Sequence, residues 1–345
     1  MVIIASLLLG LPLVAIALFF LWASSGTRSP DEYEAVVSYR DTVAEPNVAE
    51  VNPNSITIAT YNIGYLSGLT NNLAVERQAE LFETNLQQAI ATFAPLQPDI
   101  LALQEVDFGA RRSFYQNQAE AVAQALGFTT GAIAINWDKR YVPFPYWPPS
   151  THFGQVVSGQ AVLTRFPVQN NLRVVLQKVA GKPFFYNALY LDRLAQITAL
   201  EVAGQRLVII NVHLEAFDEP TRRQQTETVR SFVEFYGDEV PIILLGDFNS
   251  VPPDSESPNS TIQTILEMPA LKPAFAEEIR AYSTSGASGN EAGAIATFPS
   301  DQPVAKLDYI FYTPSHIEAL NWRIVSEAEQ ASDHLPLVME FRLRR

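Results

Sequence analysis

The sequence contains no cysteine, which excludes disulfide bonds, zinc–thiolate sites and thiol nucleophiles together. Positive charge is also scarce, because 23 Lys and Arg residues stand against 37 Asp and Glu residues, for a formal net charge of −14. Nucleic-acid affinity depends largely on Lys and Arg, so this balance argues against a broad phosphate-tracking surface. It does not exclude a small phosphate site neutralised by a metal ion.

The chain begins with a long apolar run, residues 2–22, which contains no charged residue. About 20 such residues are needed to cross the hydrocarbon core of a bilayer. A buried core helix would need a polar face, and a signal peptide usually has a charged n-region and a shorter apolar stretch. We therefore predict a single-pass transmembrane anchor at residues 1–23, with a cleaved signal peptide as the alternative. Arg28 is the only nearby cation, which specifies the orientation poorly; we place the soluble domain outside the cytoplasm.

The rest of the chain indicates one α/β domain. Residues 24–54 are polar and acidic and predict a linker. Residues 55–345 alternate apolar, strand-like runs with amphipathic helices, as in the stripe Phe82, Leu86, Ile90 and Phe93. There is no fixed-period repeat and no composition break that would mark a second globular domain.

Six apolar runs share a polar residue at one end. SITIATYN ends with Asn62, DILALQE with Glu105, RLVIINVH with His213 and PIILLGDFN with Asp247 and Asn249, whereas KLDYIFY carries Asp308 near its start and SDHLPLVMEF begins with Asp333 and His334. Each residue alone has an ordinary explanation, such as a turn or a cap. If the last two strands run antiparallel to the first four, however, all these groups meet at one edge of the sheets.

The chemistry of these groups favours a hard cation. Four carboxylates, two amides and two imidazoles without cysteine suit Mg²⁺, with Mn²⁺ as the alternative. The imidazoles could donate to phosphate oxygens, and one acid or histidine would deprotonate a water molecule. The pattern therefore predicts metal-dependent phosphoester hydrolysis, with one or two ions left open.

At these residues the sequence resembles the endonuclease/exonuclease/phosphatase superfamily, which includes DNase I-like nucleases, inositol polyphosphate 5-phosphatases and neutral sphingomyelinases. The matching segments are TYNIGYL, LALQEVD, SGQAVLTRFPV, INVHLEA, LLGDFNSVP, TFPSDQPVAKLDYIFY and ASDHLPLV, in the family's order. The resemblance implies a four-layer α/β sandwich, in which helices flank two facing mixed sheets. His213 in NVHLEA matches the histidine found in the sphingomyelinase and phosphatase branches.

The resemblance also implies roles for residues of the metal site. Glu105 matches the metal-binding glutamate, Asn62 the asparagine beside it, and Asp333 an acid given metal or structural roles. Gln160 departs from the usual Asn-Ala pairing, and we assign it no role.

The catalytic group implied by the resemblance contains five residues: His213, Asp247, Asn249, Asp308 and His334. Asp247 and Asn249 match the pair that positions the attacking water and holds a phosphate oxygen. His334 matches the histidine at the phosphate, and Asp308 the acid that orients it. Whether Asp247 or His334 is the base stays open.

Residues 136–154, NWDKRYVPFPYWPPSTHFG, are crowded with aromatic residues and proline. They could form a rigid loop packed on the domain, or an apolar rim that touches lipid or shapes the substrate pocket. With the predicted anchor and the negative charge, this segment favours a membrane lipid or small phosphate ester as substrate of a monomeric hydrolase. A DNase I-like endonuclease and an inactive, membrane-anchored binding module are the alternatives.

Overall fold

The computed structural model describes residues 2–39, 52, 54–254, 259–285 and 295–344, with side chains there except at positions 2–9, 238, 284 and 285. The helices are α1 (Val2–Ser24), α2 (Ala79–Phe93), α3 (Gln118–Leu126), α4 (Phe184–Leu189), α5 (Glu219–Tyr236), α6 (Gln263–Leu266) and α7 (Ala276–Ser285). The strands are β1 (Val36–Ser38), β2 (Ile56–Asn62), β3 (Ile100–Asp107), β4 (Thr130–Val142), β5 (Gly154–Thr164), β6 (Val168–Val175), β7 (Leu194–Val202), β8 (Gln205–His213), β9 (Ile242–Asp247), β10 (Lys272–Pro273), β11 (Asp308–Tyr312), β12 (Ile317–Ile324) and β13 (Leu337–Leu343).

The strands of the described residues form two mixed sheets. One has seven strands in the order β1-β4-β5-β3-β2-β13-β12, and the other has six in the order β10-β11-β9-β8-β7-β6. β2 runs parallel to β3, and β8 parallel to β9 through the crossover helix α5. β11 is antiparallel to β9 and β13 is antiparallel to β2, which confirms the predicted reversal of the last two polar-ended strands.

The main core lies between the two sheets. Ile58 of β2 packs in one cluster with Ile210 of β8 and Leu244 of β9. The opposite face of the seven-stranded sheet, which includes Leu103, packs against Phe93 and its neighbours from α2 and α3. α5 covers the outside of the six-stranded sheet. The predicted fold, two mixed sheets flanked by helices, is therefore confirmed.

A layer of buried amides joins the sheets beneath the predicted polar edge. Gln104 of β3 donates to Asn211 Oδ1 of β8 at 2.6 Å, and Asn211 donates to Gln196 Oε1 of β7 at 3.2 Å. Gln160, the residue that departs from the family pattern, donates to the Asn211 carbonyl at 3.1 Å. Since buried polar groups require partners, Gln160 here links the two sheets.

The prediction of a single-pass membrane anchor is wrong. Among the residues that the structure describes, no helix has both the length and the hydropathy that crossing a membrane requires. α1 contains Pro12, and its carboxyl-terminal part packs on the domain. The ring of Phe19 lies 5.8 Å from that of Tyr141, and the ring of Phe20 lies 5.7 Å from that of Phe184. A count of apolar residues in the sequence cannot detect such contacts.

The first part of the predicted linker is attached to the domain. The Asp138 carboxylate of β4 accepts hydrogen bonds from the backbone N–H groups of Thr27 and Arg28, each at 2.8 Å, and from the Tyr33 hydroxyl at 3.0 Å. β1 then pairs with β4 at the edge of the sheet. Residues 40–51 and 53 of the linker lie outside the described residues, so the domain boundary at residue 55 stays a prediction.

Candidate active site

The strand pairing brings the predicted polar residues to one edge of the sandwich. β11 places Asp308 opposite Asp247, and β8 places His213 beside the same residue. Asn62, from the other sheet, donates to Asp247 Oδ2 at 2.9 Å, so Asp247 is linked to residues of both sheets. Seven of the eight predicted residues line one cavity, and they form what we call the polar wall: Asn62, Glu105, His213, Asp247, Asn249, Asp333 and His334. The eighth, Asp308, lies behind His334.

A close approach of backbones fixes the position of Asp247. A Cβ atom on the preceding Gly246 would lie 2.1 Å from the Val212 carbonyl oxygen, so only glycine allows β8 and β9 to pair there. After the strand, Asn249 adopts a positive φ of 49° and donates its backbone N–H to Asp247 Oδ1 at 2.8 Å. Burial raises the pKa of Asp247, and the Asp308 carboxylate raises it further.

Glu105 enters the cavity from a bulge in its strand. The pairing of β3 with β5 shifts register between Leu103 and Val106, and Glu105 has a positive φ of 52°. Bulges of this kind re-aim one side chain. Asn71 Nδ2 donates to Glu105 Oε2 at 2.9 Å and lies 3.3 Å from Asp333 Oδ2. Burial, together with the nearby Asp333, raises the pKa of Glu105.

His213 is held neutral. Its Nε2 lies 2.5 Å from Arg193 Nη1, and because arginine stays protonated, the imidazole must accept this hydrogen bond. Burial lowers the pKa of His213 well below its ordinary value, and the Arg193 charge lowers it further. Arg193 in turn forms an ion pair with Glu215 at 3.6 Å. The His213 Nε2 is 3.6 Å from Asp247 Oδ2 and 3.8 Å from Glu105 Oε1, so it lies between these two acids.

His334 has the opposite charge state. Burial opposes protonation, but the Asp308 and Asp247 carboxylates outweigh it and raise the pKa of His334 well above its ordinary value. Asp308 Oδ2 accepts from His334 Nδ1 at 2.9 Å, which directs Nε2 towards Asp247 Oδ2 at 3.8 Å. The two histidines of the site therefore differ, one neutral and one cationic.

The polar wall offers ligands for a divalent cation. Glu105 and Asp333 share a single amide donor, Asn71, and their mutual repulsion is what a cation would relieve. Within the described residues, Asp247, Asp308 and His334 also place ligand atoms within 4.8 Å of one another. The buried Asp308 Oδ1 has no hydrogen-bond partner in the described part of the chain. Oxygen donors of this kind fit Mg²⁺ or Mn²⁺.

An aromatic wall lines the same cavity, which has a volume of about 560 Å³. It consists of residues from the segment 136–154 and from the connection that contains α4: Trp137, Phe144, Tyr146, Phe153, Phe185, Tyr186 and Tyr190. The Trp137 and Phe153 rings also pack edge-on with centroids 6.0 Å apart. The segment 136–154 therefore packs on the domain and also lines the cavity, whereas contact with lipid or substrate stays a prediction.

Sequence reasoning missed two residues of the site. Arg193 directly precedes β7, which pairs antiparallel to β8 with Leu194 opposite His213. The rule that located the other polar strand ends could have found Arg193. Asn71 lies in an irregular loop that Arg77 holds by donating to Thr70 Oγ1 at 2.9 Å, and no periodic pattern indicated it.

Comparison with known proteins gives a family for this fold and site. Residues 59–334 match the model of the "Endonuclease/Exonuclease/phosphatase family", whose members are generally phosphoester hydrolases that use divalent metal ions. Two curated UPF0294 proteins of Vibrio cholerae serotype O1 are each 30% identical over 140 residues, 41% of this chain. The matched region spans 41% of the length of those relatives.

Solved structures share the fold at low sequence identity. An endonuclease/exonuclease/phosphatase from Beutenbergia cavernae is 20% identical with a TM-score of 0.60, over 84% of this chain and 72% of that one. The human Nocturnin catalytic domain, solved with a bound sulfate anion, is 19% identical with a TM-score of 0.56, over 92% of this chain and 100% of that one. Caenorhabditis elegans TDP2 is 15% identical with a TM-score of 0.53, over 85% of this chain and 99% of that one.

Proposed function

The chain belongs to the endonuclease/exonuclease/phosphatase family, and on this premise we propose that it is a metal-dependent hydrolase of a lipid or small phosphoester. The observation that carries the proposal is the cavity, which is lined by both the acid-rich polar wall and the aromatic wall. The first wall suits a phosphate and a cation, and the second suits an apolar substituent on that phosphate.

Asp247 is the base in this proposal. Its carboxylate accepts hydrogen bonds from Asn62 and Asn249, which orient it. The pKa of this carboxylate is raised, which brings it closer to neutral pH, as a general base requires. Asp247 takes a proton from a water molecule whose oxygen attacks phosphorus. The bond from phosphorus to the oxygen of the leaving alcohol breaks, and the leaving oxygen takes up a proton from solvent. His334 is already protonated, which leaves it to donate to a phosphate oxygen instead.

Glu105, with Asn62 and Asp333, would hold the cation. When bound, Mg²⁺ or Mn²⁺ neutralises the phosphate oxygens and stabilises the charge that develops on them. Arg193 keeps His213 neutral, with its Nε2 occupied as an acceptor, so the remaining Nδ1–H group of that imidazole is a donor. Asp308 fixes the ring of His334 through a hydrogen bond at Nδ1.

The substrate class follows from the walls and the charge. A net charge of −14 disfavours the many phosphate contacts that duplex DNA requires. Pockets for small organic ligands are mostly apolar with a few placed polar groups, which describes this cavity. A phosphoester with an acyl, alkyl or aromatic substituent therefore suits it better than a nucleic acid.

The test is a substrate screen of the purified chain with Mg²⁺ against sphingomyelin, inositol phosphates and duplex DNA. We expect hydrolysis of a lipid or small phosphoester that changes little with salt, because few charges are neutralised on binding. Preferential cleavage of DNA, with a rate that falls steeply as salt rises, would instead establish a nuclease.

The inactive binding module is tested by the same screen. Wild-type chain that binds phosphoesters but hydrolyses none of them, with every metal tried, would support that alternative. The polar wall argues against it, because its seven residues line one cavity and Asp308 accepts a hydrogen bond from His334 behind them.

A further inference from the structure

Five exposed aromatic residues line the cavity or stand next to a residue that lines it: Tyr146, Trp147, Phe184, Phe185 and Phe217. Tyr146, Phe185 and Phe217 also line the cavity, whereas Trp147 and Phe184 lie outside it. Single exposed apolar residues are ordinary, but several exposed aromatic residues at one cavity indicate a binding surface.

Helix α1 extends this surface. Phe20 contacts Phe184, and the ring of Trp22 stacks on that of Tyr141 at 6.5 Å. The outward side of the helix exposes further apolar residues, among them Leu13, Leu18 and Leu21. We call the exposed part of α1 together with the five aromatic residues the docking face.

Hydrogen bonds join the carboxyl-terminal end of α1 to β4. Arg140 of β4 donates its backbone N–H to the Ser25 carbonyl at 3.0 Å, and Lys139 Nζ donates to the Ser24 carbonyl at 3.0 Å. The Asp138 carboxylate holds the backbone of Thr27 and Arg28. α1 is therefore attached to the strand whose Trp137 lines the cavity.

Positive charge accompanies the apolar residues. Arg140 is exposed at the end of α1, and Lys182 lies with Nζ 5.3 Å from the centre of the Tyr186 ring. Lys139 is occupied by the Ser24 carbonyl, and the nearby Lys178 is paired with Asp192 at 2.8 Å. Exposed cations beside exposed aromatic residues favour an anionic lipid surface. In a symmetric dimer, by contrast, Arg140 and Lys182 would face the same cations of the second copy.

We propose that the docking face rests on a lipid layer that contains anionic headgroups, so that phosphoesters in that layer reach the cavity directly. The contact is made from one side and requires no segment to cross the layer. The proposal rests on the proposed function, since Tyr146, Phe185 and Phe217 of the docking face line the hydrolytic cavity.

The test measures sedimentation of the full chain with vesicles of phosphatidylcholine, with and without phosphatidylserine. We expect binding that is stronger with phosphatidylserine and that falls by roughly tenfold in Trp147→Ser and in Phe184→Ser. The matched control is Phe235→Ser, because Phe235 is 81% exposed on α5, outside the docking face. It should bind as the wild type does.

Three results would overturn the proposal. The first is wild-type chain that does not sediment with either vesicle, and the second is Trp147→Ser and Phe184→Ser variants that bind as well as wild type. The third is a stable dimer in light scattering that both substitutions dissociate, since a second copy would then cover the docking face. Turnover of a soluble phosphodiester should be equal in all variants. If the wild-type chain hydrolysed no soluble phosphodiester, the proposed function would be contradicted, and vesicle binding would still decide the docking proposal.

Discussion

The polar wall of the cavity consists of strand ends and the turns next to them, whereas most of the aromatic wall comes from connections between strands. Asp247 and Asp308 are fixed by paired neighbours in the same sheet, and Asn62 ties one sheet to the other. Phe185, by contrast, lies in α4, a short helix that has no buried residue. We infer that the reaction is determined by the sheets and the substrate by the connections, which can vary without disturbing the fold.

The largest loss of activity is expected when the proposed base is removed from the polar wall. Asp247→Ala should lower kcat by about 10²–10⁴-fold, because proton transfer from water loses its acceptor. The steady-state rate on a soluble phosphodiester measures this effect. The far-UV circular dichroism spectrum should match that of the wild type, and a variant with undiminished kcat would refute the assignment of the base.

The backbone that positions Asp247 in the polar wall can be disturbed without changing a polar side chain. Gly246→Ala should lower the free energy of unfolding by roughly 2–4 kcal/mol, because its Cβ would clash with the Val212 carbonyl at a positive φ of 126°. Urea denaturation measures the change. In the matched control Gly204→Ala, φ is also positive but no atom lies within 4 Å of the added Cβ, so the loss should be smaller. Equal losses would show that backbone strain alone is responsible.

The protonation of His334 can be tested through the pH dependence of the reaction. Asp308 raises the pKa of His334, so Asp308→Asn should lower that pKa, and the imidazolium should lose its proton at a lower pH. The alkaline limb of the kcat/KM profile should therefore move to lower pH. Activity on that limb should fall about tenfold for every pH unit by which the limb moves. An unmoved limb would mean that protonated His334 is not required.

The smallest effect is expected from the aromatic wall. Phe185→Ser should raise KM for a soluble phosphodiester with an alkyl tail by roughly threefold to tenfold, because apolar contact with the tail is lost. KM for the corresponding methyl ester should stay the same, and so should kcat for both substrates. Equal changes for the two esters would place Phe185 outside the substrate site.

The same comparison explains how much the sequence could predict. The polar strand ends predicted the site edge, because a buried strand leaves little freedom to the residue at its end, whereas the two-sheet sandwich was implied by the family resemblance. The orientation of Glu105 could not be predicted, since it depends on a bulge that only the pairing of β3 with β5 reveals. Asn71 depends on a loop held by Arg77, again a contact distant from any periodic pattern.

The aromatic wall and the amino terminus show the other limit. The aromatic composition of segment 136–154 indicated part of this wall. Residues of α4 and Phe217 line the same cavity from distant parts of the chain, which composition does not indicate. The apolar run at residues 2–22 predicted an anchor from its hydropathy alone. Its packing on Tyr141 and Phe184 is a tertiary contact, which no count along the sequence contains.

The most direct test of the account is a Mg²⁺ titration of the chelator-treated chain, followed by calorimetry and by the rate of phosphodiester hydrolysis together. We expect no hydrolysis without the metal, saturation of heat and rate at the same Mg²⁺ concentration, and a shift of both to higher concentration in Glu105→Gln. Hydrolysis that continues undiminished in the chelator, or Mg²⁺ binding that is unchanged in Glu105→Gln, would contradict a metal-dependent reaction at the polar wall.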